Sequence, residues 1–95
     1  MFNFEISDEV EQKLQNKHCV ELEEIIQCFI NHSGPYLRDN REKHQTIPPT
    51  EWFIGETDQR RRLKVVFIQK KDKIVIKTAY EPNPIEERIY GELRQ

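Results

Sequence analysis

Arg60-Arg61-Arg62-Leu63-Lys64-Val65-Val66-Phe67-Ile68-Gln69-Lys70-Lys71-Asp72-Lys73-Ile74-Val75-Ile76-Lys77-Thr78-Ala79-Tyr80 reads as two strands, Leu63 to Gln69 and Lys73 to Tyr80, joined by a short polar turn and therefore antiparallel. Val65 to Ile68 and Ile74 to Ile76 are unbroken apolar runs, so both faces of each strand carry apolar side chains and the pair belongs at the centre of a sheet. Eight lysines and arginines stand in the same segment against one acid, Asp72. It is both core and basic surface.

Working outward, Phe2, Phe4 and Ile6 alternate with polar residues, the period-two pattern of a short edge strand. Asp8 and Glu11 have the spacing of a capping box, opening a helix with Val10 and Leu14 on its apolar side and an end near His18. Leu22, Ile25, Ile26, Phe29 and Ile30 recur at helical spacing, and Gly34-Pro35 stops that second helix. A weak strand is expected around Tyr36 to Asn40, then a charged loop closed by Pro48-Pro49. Trp52 to Glu56 reads as a further strand, with a turn at Thr57-Asp58-Gln59 leading into the basic hairpin. Asn83 as N-cap, Pro84 at the first helical position and Glu86 open a last helix, whose Ile85, Ile89 and Leu93 are expected to pack on the sheet. The expectation is one α+β domain over residues 1–95. In it an antiparallel three- to four-stranded sheet packs against two N-terminal helices and one C-terminal helix.

The chain has 95 residues, 36% of them hydrophobic, and a net charge of −2 that hides an asymmetry. Residues 1–58 carry 5 Lys+Arg and 12 Asp+Glu, whereas residues 59–95 carry 10 and 5. The basic half is suited to an anion. No apolar run is long enough for a membrane span and no signal peptide is read at the start, so a cytoplasmic protein without membrane contact is expected. Cys19 and Cys28 fall in helical segments and read as free thiols. Gly-rich phosphate loops, nucleophile elbows and paired-Cys zinc spacings are lacking, and Cys28 with His32 does not make a metal site, so neither metal nor cofactor is expected.

His44, in an irregular charged loop, is the histidine best placed for chemistry; its plain alternative is an exposed surface residue. On strict alternation Ile74, Ile76, Thr78 and Tyr80 share one strand face and Lys77 lies on the other, so Lys77 and Tyr80 meet in one site only if the strand bulges. Arg60, Arg61 and Lys64 have the makings of a phosphate track, with Trp52 as a stacking face for an unpaired base.

Several segments, in order, carry a family resemblance. Lys17-His18-Cys19-Val20, Cys28-Phe29, a strand containing Gly55, Arg62-Leu63-Lys64-Val65-Val66-Phe67, Ile74-Val75-Ile76-Lys77-Thr78-Ala79-Tyr80 and Glu87-Arg88-Ile89-Tyr90 resemble the BrnT-like branch of RelE-type toxins. There the motifs run Lys-His-Gly-Val, Arg-x-Leu-x-Val-Val, Ile-Arg-Ile-Ile-Ser-Ala-Arg and Glu-Arg-x-x-Tyr; Tyr80 stands where the third ends in Arg. The resemblance implies a metal-independent ribonuclease acting on RNA and inhibited by a cognate antitoxin protein. It implies Arg62 and Lys77 as stabilisers of phosphate charge, His44 as general base and Tyr80 as acid or stacking platform. The alternative is a non-catalytic relative that binds a protein partner, as an immunity protein or antitoxin facing a toxin, through the acidic Glu21, Glu23 and Glu24. The oligomeric state is left open.

Overall fold

The computed structural model describes residues 3–39 and 48–93. Strand β1 (Phe4–Glu5) precedes helix α1 (Asp8–Lys13), a π-helical turn (Leu14–His18) and helix α2 (Leu22–Asn31). Strands β2 (Leu37–Arg38), β3 (Thr50–Glu56), β4 (Arg62–Gln69) and β5 (Ile74–Tyr80) follow, then helix α3 (Pro84–Leu93). The fold is α+β, but the sheet is neither three- to four-stranded nor wholly antiparallel. It has five strands in the order β1-β5-β4-β3-β2, and β1 runs parallel to β5 through Phe4↔Ile74 and Glu5↔Val75. Phe2 and Asn40, also expected in strands, lie outside the described residues.

The helix starts have local causes. Ser7, extended at φ −77, ψ 157, accepts the Val10 N–H on its hydroxyl at 3.1 Å, so Ser7 and not Asp8 caps α1. Asp8, Glu9 and Glu11 then sit in the first turn, by the positive end of the helix dipole. Glu21 and Glu24 form a capping box at α2. Asn83 and Glu86 form another at α3: Asn83 Oδ1 accepts the Glu86 N–H at 2.8 Å and Glu86 Oε1 accepts the Asn83 N–H at 3.0 Å.

The two sheet faces follow from register. Phe53, Val65 and Ala79 are paired across β3, β4 and β5, as are Gly55 with Leu63 and Phe67 with Ile76, and all of these side chains are buried. Helix α2 covers this face, with the Phe29 ring 4.8 Å from Phe53 and 5.2 Å from Phe67 between centroids. The opposite face carries Trp52, Lys64, Val66, Thr78 and Tyr80, and α3 crosses it with Tyr90 buried against Trp52 at 5.6 Å.

Two expectations change here. The β4–β5 register slips between Val66 and Phe67, so that Lys77 is the extra, bulged residue. Ile76 therefore shares the α2-covered face with Ala79, and strict alternation does not hold along β5. Helix α3 does not bury the expected apolar row: Ile85, Ile89 and Leu93 are 60%, 37% and 60% exposed. Its sheet-facing residues are Glu86 and Tyr90, because β4 offers cations where the helix lands. Among the described residues no helix is long and apolar enough to cross a membrane.

Candidate functional site

Lys64 and Tyr80 are register partners on β4 and β5, so the sheet alone places them side by side on the α3-covered face. The capping box of α3 fixes Glu86 above them. Its Oε2 accepts from Lys64 Nζ at 2.9 Å and from the Tyr80 hydroxyl at 2.7 Å, while its Oε1 is engaged by the cap. Lys64 Nζ also stands 4.6 Å over the Trp52 ring and 5.7 Å over the Tyr80 ring. From the π-helical turn, the His18 ring reaches to 5.5 Å from that of Tyr80. Four elements thus meet at one carboxylate.

Burial alone raises the Glu86 carboxyl, but hydrogen bonds from Lys64, the Asn83 N–H and Tyr80 outweigh it and hold the pKa below its ordinary value. Burial, then the bond to Glu86, pushes the Tyr80 phenol up, so it keeps its proton. Burial, then Lys17, pushes His18 down, favouring neutral imidazole. The cluster therefore holds a carboxylate, an ammonium, a protonated phenol and a neutral imidazole.

The other basic candidates are placed differently. Arg61 donates through Nη1 to Cys19 O at 2.8 Å and through Nη2 to His18 O at 3.2 Å, closing the π-helical turn where Cys19 takes φ 53. It also pairs with Glu24 and Glu81, each at 3.0 Å. Arg62 grips Glu87 with two bonds of 2.7 Å and meets Glu56 at 3.3 Å. Both are structural clamps already facing carboxylates. Trp52 is covered by Lys64 and Tyr90, so neither face is open for stacking a base. Arg60 is exposed in the left-handed region at φ 66. Lys77 is exposed on the bulge, and its ammonium makes no ion pair among the described residues. His44 lies outside the described residues.

The structure thus brings together Trp52, Lys64 and Tyr80 from the expected set. Sequence reasoning missed Glu86 and set His18 aside as a helix-end residue. The signal for Glu86 was its capping-box spacing from Asn83, which explains only one of its two oxygens. Beside the cluster runs a groove of about 430 Å³ between α3 and β2, lined by Arg38, Asp39, Trp52, Lys64, Val66, Glu86, Ile89 and Leu93. Among the described residues no group of three or more His, Cys, Asp or Glu stands close enough to hold a metal ion. Neither a protein-family model nor a curated protein matches this chain.

Proposed function

We propose that the chain is a toxin-type, metal-independent ribonuclease, kept in check by an antitoxin protein, with its chemistry at Lys64, Tyr80, Glu86 and His18. The observation that carries this reading is that Lys64 and Tyr80 converge on one Glu86 oxygen with the His18 ring beside Tyr80. The reaction begins with attack of a ribose 2′-OH on the adjacent phosphorus. Neutral His18 takes the 2′-OH proton, and Lys64 swings from Glu86 to the phosphate oxygens as charge builds on them. Tyr80 gives its proton to the departing 5′-oxygen, leaving a 2′,3′-cyclic phosphate and a free 5′-OH. The proton on His18 then returns to Tyr80. Glu86 holds lysine and tyrosine in place until substrate arrives.

The test is incubation of purified protein with mRNA and tRNA in chelator, mapping the ends produced. Cleavage leaving cyclic phosphate ends is expected, with Lys64→Met and Tyr80→Phe slower by roughly 100-fold and still folded by circular dichroism. Intact RNA, together with no growth defect on expression, sinks the reading.

A second reading has its own support. Arg61, Arg62 and Lys64 are already neutralised by this chain's own carboxylates, as a surface not meant for phosphates would be. In that case the chain is a protein-binding relative, and exposed Glu21, Glu23 and Asp58 beside α2 face a basic partner. Expression with and without a neighbouring gene separates the two, since a poison slows growth alone and a protector does not.

A further inference from the structure

Helix α3 turns its polar side to the sheet and its apolar side outward, the reverse of an ordinary surface helix. Ile85, Ile89 and Leu93 form one ridge at i, i+4 and i+8, and their exposures of 60%, 37% and 60% leave nothing of this chain covering it. Ile89 and Leu93 also form one wall of the groove floored by Val66 and Trp52, so the apolar surface continues from helix to sheet. Next to the ridge stand Arg88 and Glu92, exposed and one turn apart, with no ion-pair partner among the described residues.

We propose that this face is the contact between two copies of the chain, α3 packing on α3 about a two-fold axis near Ile89. The pattern is self-complementary on two counts. Ridges at i±4 spacing interdigitate with identical ridges of a second helix, crossing at about −50°. In an antiparallel pair centred on Ile89, Ile85 meets Leu93 of the second copy, and Arg88 on one copy lies toward Glu92 on the other. Every charge beside the ridge then finds its opposite, as an isologous contact requires. A parallel arrangement would set like charges together. One helix face buries less than the roughly 800 Å² per partner of a standard interface, so the dimer is weak and concentration-dependent. The inference stands independently of the ribonuclease reading.

Sedimentation equilibrium of the full chain over a concentration series up to about 1 mM tests it, in the range where small interfaces associate. Reversible dimerisation is expected for the wild type and its loss for Ile89→Glu, whose exposed position leaves folding intact by circular dichroism. Arg88→Glu and Glu92→Arg are each expected to weaken self-association about tenfold, while an equimolar mixture of the two recovers it as a mixed dimer. A wild type that stays monomeric throughout overturns the proposal, whatever else binds the face. So does a dimer indifferent to Ile89→Glu, or a mixture of the charge variants no tighter than either alone.

Discussion

Gly55 shows how far a single missing carbon matters. A Cβ built on it would lie 2.8 Å from Cε2 of Phe53 and 3.1 Å from both Cβ and the carbonyl oxygen of Cys28. The helix therefore approaches the sheet at a distance only glycine permits. Gly55→Ala is expected to cost about 1–3 kcal/mol in urea unfolding, since a buried phenyl ring and a helix backbone must both yield. An unchanged midpoint would show that α2 can drift away freely. His32 is the opposite case. Its Nε2 is buried without a hydrogen-bond partner, while its ring stacks on Tyr36 at 5.1 Å. His32→Phe keeps the ring contacts and removes the unpaired atom, so stability is expected to hold or rise by up to about 1 kcal/mol. A loss of that size would mean that the imidazole has a role beyond packing. Neither fact was legible in the sequence, because spacing says nothing of close approach or of an unsatisfied atom.

At the scale of elements, spacing located the pieces and failed to orient some of them. The β4–β5 hairpin, the second helix and the Asn83 cap are where the patterns place them, since each rests on local signals. The outward side of α3 was not legible: an apolar row at helical spacing reads as core unless the landing surface is known, and that surface is set by Arg62 and Lys64 on another element. The bulge at Lys77 was equally hidden, because one extra residue leaves no mark in composition. Gly91 gives a test of α3 itself. It lies inside the helix, and a Cβ there would meet nothing within 4 Å. Gly91→Ala is expected to raise stability by about 0.5–1 kcal/mol by thermal or urea unfolding. A fall would mean that α3 is held by something other than its own backbone and its contacts with the sheet.

For the whole molecule, the separation of acidic and basic halves along the chain is resolved within the fold. Glu5, Glu24 and Glu56 from the acidic half pair with Lys73, Arg61 and Arg62 from the basic half. Charge counting had suggested an outward anion surface; pairing in three dimensions uses much of it internally. Acid sensitivity follows. The Glu86 carboxyl is lower in the fold than its ordinary 4.5, so its contribution is complete above that value and is lost as pH falls through the folded pKa. Glu5, lowered chiefly by its bond to Lys73, acts in the same direction. Urea midpoints are thus expected to fall below about pH 4.5, and the Glu86→Gln curve to be flatter there. Parallel curves for the two proteins would remove Glu86 from the account.

The parallel pairing of β1 with β5 bears on the order in which the molecule is made. Phe4 pairs with Ile74, 70 positions later, so the earliest strand on the chain has no partner until nearly the last has formed. Closing so long a loop is entropically slow, and the hairpin of β4 and β5 can zip locally beforehand. On a ribosome, β1 would wait through most of synthesis with Phe4 unburied. The sheet is therefore completed from its middle, and its first-made edge is the last to dock.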